Sequence, residues 1–303
     1  MKILITGSSG TIGTRLFERL LPEHEVTGVD IRPNQWLPSL NERTKRVDLR
    51  ERSTLAALSE DVDLVVHFAA NARVYELVKE PDLALDNIIM TYNVLEYLRK
   101  NNIRRAIFAS SRETYGNIME SSRVAEDAVR LENCESPYSA SKVSGEALFH
   151  SYAKVYGINS VILRFSNVYG MYDDSDRVIP LWIRQFMNNE DVVIFGQEKV
   201  LDFTYIDDTV GAVTRVIERF EEVTGATLNI ASGKGIKLRD IAEELKKAFD
   251  SRSKFILKDN RPGEVWKFEA DVSRAMSLLG YHPEVDIAEG LKKTTDWYRQ
   301  YYK

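Results

Sequence analysis

"KILITGSSGTIGTRLFERLL", residues 2–21, decides the fold. An apolar, β-branched run stops at Thr6, three glycines follow at Gly7, Gly10 and Gly13, and from Thr11 the apolar residues return at helical spacing. A strand that turns through glycines into a helix is the opening unit of a parallel α/β sheet. The same rhythm continues outward. "EVTGVD" (25–30), "DLVVHFA" (63–69), "RRAIFAS" (104–110) and "NSVILRF" (159–165) read as strands; 11–21, 51–59, 83–101 and 138–157 read as helices. Continuously apolar strands joined by helices imply a doubly wound parallel sheet covered on both faces. Beyond residue 165 turn-rich stretches, "YGMYDDSDRVIP" (169–180) and "NRPGEV" (260–265), separate helices at 180–189, 236–249 and 287–302. This predicts a Rossmann-type α/β domain over 1–165 and, over 166–303, a smaller lobe built against the end of the sheet, with some segments returning to the first domain.

Composition narrows the function. The 303 residues are 44% hydrophobic and 29% charged, ordinary for a globular protein. A net charge of −5 offers no basic field to nucleic acid. No apolar run approaches the roughly 18 residues that span a bilayer. The single cysteine, Cys134, excludes an intramolecular disulfide and any multi-cysteine metal site, and Met1 leads directly into the first strand; a cytoplasmic protein is expected. The four histidines, His24, His67, His150 and His282, show no ligand spacing, so no metal is expected. The polar stretch 117–137 is long for a connection and is a candidate lid.

Two motifs carry chemistry. Gly7, Gly10 and Gly13 allow backbone N–H groups to approach a pyrophosphate at a helix N-terminus, although a plain tight turn has the same look. The second strand ends in Asp30, whose carboxylate would accept ribose hydroxyls and repel a 2′-phosphate. NAD is therefore expected rather than NADP, with Arg32 as the counter-signal. Asp48, after a short third strand, is either an adenine contact or a helix N-cap. The second motif is "YSASK", with Tyr138 and Lys142 four apart on one helix face. A phenol becomes a base near neutral pH when its pKa is pulled down by a neighbouring ammonium and a cationic nicotinamide.

With "VDLR" (47–50), "HFAA" (67–70), "NIIMTYNVLE" (87–96), "ASSRETYG" (109–116), "SPYSASKVSGE" (136–146), "RFSNVYG" (164–170), "LDFTYIDD" (201–208) and "RPGEV" (261–265) added, nearly the whole chain resembles the extended short-chain dehydrogenases/reductases of the nucleotide-sugar epimerase/dehydratase family. The resemblance implies bound NAD, a nucleotide-diphosphate sugar in the cleft, and a triad of Ser111, Tyr138 and Lys142. It also implies cofactor contacts at Gly7, Gly10, Thr11, Ile12, Gly13, Asp30, Arg32, Asp48, Leu49, Phe68, Ala69, Ala70, Asn87, Tyr138 and Lys142. Ser111, Arg112, Asn167, Lys199 and Arg261 are the implied substrate contacts. In relatives the pair of long helices packs against its copy, which implies a homodimer.

Two departures matter. Residues 112 and 113 occupy the positions that face C5 and C6 of the sugar in members working beyond C4. Glu113 resembles the glutamate of 4,6-dehydratases and uronate decarboxylases and could take a C5 proton. Arg112 stands where dehydratases commonly carry Asp or Ser, and a guanidinium does not release its proton; it could hold a C6 carboxylate or neutralise Glu113. Leu201 stands where relatives usually carry a phosphate-binding arginine, with Lys199 as a possible substitute. "RPGEV", "HFAAN" (67–71) and the missing acid at 112 lean towards an NAD-dependent 4-epimerase of a UDP-hexose, and Glu113 leans the other way. A 4,6-dehydratase, a uronate decarboxylase and a non-enzymatic dinucleotide sensor are the alternatives.

Overall fold

In the computed structural model, which describes residues 1–118 and 123–302, the chain runs through twelve strands among the described residues. They are β1 (Lys2–Thr6), β2 (Glu25–Asp30), β3 (Thr44–Arg46), β4 (Leu64–His67), β5 (Arg105–Ser111), β6 (Asn159–Phe165), β7 (Asn167–Tyr169), β8 (Val192–Phe195), β9 (Val200–Tyr205), β10 (Thr227–Ile230), β11 (Gly235–Lys237) and β12 (Phe255–Lys258). Seven of them form one sheet in the order β10-β6-β5-β4-β1-β2-β3, every neighbouring pair parallel. The order reverses direction at β1 and β4, and that switch point opens a crevice at the carboxyl ends of the strands. Helices cover both faces, which is why β4 and nearly all of β1 and β5 are buried and read as unbroken apolar runs.

The expected boundary at 165 is crossed in two places. β10 pairs with β6 as the seventh strand. Helix Ile206–Glu218 lies against helix Thr11–Leu20, joined by Arg15 Nε to Asp207 at 2.6 Å. The remainder of the C-terminal half forms a mixed sheet (β11-β9-β7), the parallel pair β12-β8, and helices Val178–Met187, Leu238–Ala248 and Ile287–Tyr301. The helix expected over 51–59 is a 3₁₀ turn, Arg52–Ala57, which buries only Leu55; one buried side chain does not hold an α-helix of that length.

Of the expected lid at 117–137, residues 119–122 lie outside the described residues. The rest is held down: Val124 bridges to Ala270, Glu126 Oε1 accepts from Asn229 N at 2.9 Å, and Asn117 Oδ1 accepts from Trp266 N at 2.9 Å. No helix among the described residues is long and apolar enough to cross a membrane. Among the same residues no group of three or more His, Cys, Asp or Glu could hold a metal. His67 is a core histidine: its Nδ1 is 2.7 Å from Thr6 Oγ1, and burial lowers its pKa to about 3, which keeps it neutral.

Candidate active site

The glycine turn is built for close approach. Gly7 has φ +70°, and a Cβ there would lie 2.7 Å from Ala69 N, so the turn and the segment after β4 touch backbone to backbone. A Cβ on Gly13 would collide with the Gly7 carbonyl. Gly10 differs: a Cβ would meet only the Gly7 oxygen, at 3.3 Å, so the space before the helix is open. Helix Thr11–Leu20 has no side-chain cap and no acidic residue in its first turn. Its first N–H groups, those of Thr11, Ile12 and Gly13 included, face that space without an intrahelical partner. This arrangement fits a pyrophosphate.

Asp30 is set beside the turn by backbone donors, Ser9 N and Arg32 N, both at 2.9 Å. Arg32 itself is exposed. Asp48 is not the N-cap of the 52–57 turn, a place taken by Glu51; its carboxylate accepts from Arg50 N at 3.0 Å and from the Arg50 guanidinium at 2.7 Å. Leu49 is buried in the second core cluster. Phe68, Ala69 and Ala70 line the half-buried exit of β4, with Phe68 edge-on to Phe165. Asn87 clamps the same exit by accepting from Asn71 N at 2.7 Å and donating to Asn71 O at 2.9 Å.

β5 delivers the next group. Successive strand residues point to opposite faces, and Ser110 and Ser111 separate accordingly. Ser111 is the N-cap of the 3₁₀ turn Arg112–Tyr115, its Oγ accepting from Glu113 N at 3.2 Å, and it sits within reach of the Tyr138 hydroxyl. Tyr138 and Lys142 come from helix Pro137–Tyr156, whose start is fixed by a capping box between Ser136 and Ser139. Lys142 Nζ donates to Ala109 O at 2.8 Å and lies 5.8 Å from the Tyr138 ring centre.

The expectation that the ammonium pulls the phenol down meets a larger effect. Burial pushes Tyr138 up to about 12, and Arg177, Ser111 and Arg112 only partly offset it. Burial also brings Lys142 down to about 8. Arg177, at the start of helix Val178–Met187, was not flagged in the sequence, where no motif marks it, yet it is the leading cation acting on Tyr138.

From Ser111 a chain of charges crosses towards the smaller lobe. Arg112 Nη2 is 2.8 Å from Glu113 Oε1 and 3.3 Å from Asn167 Oδ1, while Asn167 Nδ2 donates to Asp202 O. Both charged side chains are buried, 8% and 6% exposed. Burial raises the Glu113 pKa, with Arg112 and Lys199 opposing and Glu264 reinforcing the rise. Lys199 Nζ is 2.8 Å from Glu264 Oε2. Arg261 lies beyond, 3.9 Å from Glu264, its guanidinium 3.8 Å from the Phe195 ring centre and 4.8 Å from that of Tyr75. A groove of about 770 Å³ opens there, lined by Lys199, Asn260, Trp266 and Lys258 among others. Arg112, Glu113, Asn167 and Lys199 thus converge; Arg261 stands at the outer end, apart from Ser111.

Behind the site Ser110 donates to Glu146 Oε1 at 2.5 Å. Glu146 grips Arg164 through two contacts, 2.8 and 2.7 Å, and Arg164 Nη1 reaches the Tyr115 hydroxyl at 3.0 Å. Tyr115 donates to Asn229 at 2.5 Å. This network, which the sequence did not reveal, ties β5, β6, β10 and helix Pro137–Tyr156 beneath the turn 112–115.

A glycine-turned Rossmann sheet with a Ser–Tyr–Lys set at its switch point defines a dinucleotide-dependent enzyme of the extended short-chain dehydrogenase/reductase kind. Residues 3–231 match the NAD dependent epimerase/dehydratase family, and the chain belongs to it. It is similar to the UDP-glucose 4-epimerase of Thermotoga maritima crystallised with UDP-glucose (28% identity, all of both chains covered, TM-score 0.91). It is similar also to the UDP-glucuronic acid 4-epimerase of Bacillus cereus in complex with UDP-glucuronic acid and NAD (31%, all of both chains, TM-score 0.90). The dTDP-glucose 4,6-dehydratase of Mycobacterium tuberculosis is 28% identical over 312 residues, covering 99% of this chain and 93% of that one. The protein is an NAD-dependent enzyme of the nucleotide-sugar epimerase/dehydratase class.

Proposed function

We propose that the enzyme is a nucleotide-sugar 4-epimerase. The observation that carries this reading is the Arg112–Glu113 pair: the two residues after Ser111 spend their charges on each other at 2.8 Å instead of presenting an acid and a base to C5 and C6. NAD supplies the acceptor and donor of a hydride at C4. Tyr138 takes the proton from the C4 hydroxyl as the sugar is oxidised and returns it on reduction; Ser111 holds the same oxygen by a hydrogen bond. Lys142 holds the ribose hydroxyls next to the nicotinamide and adds positive charge beside the phenol. The lowering that Tyr138 still needs would be supplied by the positive charge of the oxidised nicotinamide when NAD is bound. The glycine turn takes the pyrophosphate and Asp30 the adenosine ribose. Asn167, Lys199 and Arg261 take the sugar diphosphate, with Lys199 in place of the arginine that Leu201 displaces. In this reading 1–165 is the cofactor domain and 166–303 is mainly the substrate lobe.

The test is turnover of nucleotide hexoses in D₂O, read by mass and NMR. Epimerisation inverts C4, leaves the mass unchanged and puts no deuterium at C5. The second reading, elimination or decarboxylation with Glu113 as the C5 base, draws on the raised Glu113 pKa and would show as loss of water or carbon dioxide. We further infer a cytoplasmic homodimer assembled through helices Asp82–Lys100 and Pro137–Tyr156. Their surface leaves Leu85, Tyr92, Val155 and Tyr156 exposed. Light scattering that finds only 34.7 kDa particles at micromolar concentration would remove it.

A further inference from the structure

Arg112 and Glu113 meet by one nitrogen and one oxygen, not by a two-pronged fork. The second nitrogen of the guanidinium, Nη1, and the second oxygen of the carboxylate, Oε2, are both buried, and neither has a partner in good hydrogen-bond geometry among the described residues, although the Val265 backbone N–H is near enough to act on the carboxylate. Leaving a buried donor and a buried acceptor unmatched is costly, so each calls for a partner that arrives with a ligand. The pair follows Ser111 directly, is linked to it through Glu113 N, and lies close enough for both charges to act on Tyr138. The space it serves is therefore that of the substituents flanking the reacting carbon.

We propose, resting on the epimerase reading, that Arg112 and Glu113 together are a hydroxyl receptor that selects neutral nucleotide hexoses over nucleotide uronates and pentoses. One hydroxyl accepts from Arg112 Nη1 and donates to Glu113 Oε2, which satisfies both unmatched atoms. A carboxylate accepts from Arg112 but brings a second negative charge against Glu113, with Glu264 already adding to the repulsion. A pentose, which has no C6, leaves both atoms unmatched whenever its C5 side faces the pair. The receptor also suits both halves of the reaction. Turning the keto sugar to offer its other face exchanges its C5–C6 side for its C3 side, and a neutral hexose carries a hydroxyl on each. A lone cation would hold a uronate in one orientation only.

The experiment uses the NAD-loaded protein with glucose, glucuronate and xylose, each linked to UDP and to dTDP, and measures both dissociation constants and kcat/KM. With the better nucleotide, glucose should lead xylose and glucuronate in kcat/KM by at least about 30-fold, since a site that hydrogen-bonds a hydroxyl rejects analogues lacking it. Glu113→Gln removes the repelling charge and leaves Arg112 uncompensated. It should lower the kcat/KM for the glucose substrate and raise that for the glucuronate, narrowing the ratio at least about tenfold. A purely structural ion pair would lower both in proportion, and that result overturns the proposal. Glucuronate binding or turning over as well as glucose in the unaltered enzyme, or no discrimination under either nucleotide, overturns it as well. Product identity separates the two claims: C4 inversion with a preference for uronate sinks this inference alone, whereas water or carbon dioxide lost from the substrate sinks the epimerase reading.

Discussion

Glu146→Gln tests the support beneath the turn 112–115. Glu146 and Arg164 are buried, 8% and 6% exposed, and meet in a two-pronged contact at 2.8 and 2.7 Å. Glutamine keeps the shape but turns one acceptor towards the guanidinium into a donor and removes the counter-charge. Breaking a buried pair on one side costs about 3–5 kcal/mol, because the remaining charge stays buried. That is a large share of the roughly 5–15 kcal/mol that holds a folded domain. At about 2–4 °C per kcal/mol for chains of 150–250 residues, the melting temperature should fall by roughly 10 °C. Replacing both residues, as Glu146→Leu with Arg164→Met, should recover part of the loss, since an apolar pair carries no buried charge. Recovery stays incomplete because the hydroxyls of Ser110 and Tyr115 lose partners. The same change has a chemical readout. Glu146 is the group that holds the Lys142 pKa up against burial, so its neutralisation should drop Lys142 below about 8. NAD affinity should then weaken more at pH 8.5 than at pH 7. A Glu146→Gln protein melting within about 2 °C of the original would refute the reasoning.

Tyr138→Phe should cut kcat by about 10²-fold or more while NAD binding stays near its original strength; near-normal turnover would remove Tyr138 as the proton acceptor. Gly13→Ala places a methyl group against the Gly7 carbonyl and should weaken NAD by roughly 10–10²-fold in a direct titration. Asp30→Ala should narrow the preference for NAD over NADP by about tenfold, and an unchanged ratio of dissociation constants would assign the choice to Arg32. Lys142, brought down from 10.5 to about 8 by burial, gives a signed pH dependence. Between those values the unfolded chain binds the extra proton, so its contribution to stability grows as pH rises from about 8 towards 10.5. Lys142→Met should flatten that slope, worth about 3 kcal/mol in denaturant titrations of the cofactor-free protein.

Six of the seven sheet strands are legible, β3 as the short strand before Asp48 and the other five as apolar runs, because a strand buried on both faces must be apolar throughout and a helix must intervene before the next parallel strand. β10 escaped because "TLNI" is four residues long and follows the turn-forming "TG", a pattern too short to separate from a loop. Helix Ile206–Glu218 was hidden for another reason. Its first residues, Ile206, Asp207 and Asp208, belong to the motif "LDFTYIDD", which reads as a mark of the family rather than as an element, although its buried face of Ile206, Val210, Val213 and Ile217 has helical spacing. The glycine turn, Asp30 and the Tyr138–Lys142 spacing were legible since each is local. The Glu146–Arg164 network was not: its members come from β5, β6, β10, helix Pro137–Tyr156 and the turn 112–115, and each looks like an ordinary polar residue on its own.

"ASSRETYG" shows where local reading stops. Alternation along a strand implies that Ser110 and Ser111 face opposite ways, but only the fold decides which one meets Glu146 and which one Tyr138. Arg and Glu side by side in a sequence do not reveal whether they will pair with each other, with distant residues or with a ligand. The outcome here depends on Asn167, Lys199 and Glu264, which lie 55, 86 and 151 positions from Arg112 or Glu113. With those neighbours in place the pair closes by one contact, and the atoms left over are one donor and one acceptor. Full closure would make the pair inert support, and no closure would leave Glu113 free to serve the alternative reading as a C5 base. The half-closed pair does neither, and the proposed hydroxyl receptor rests on the one donor and one acceptor it leaves over.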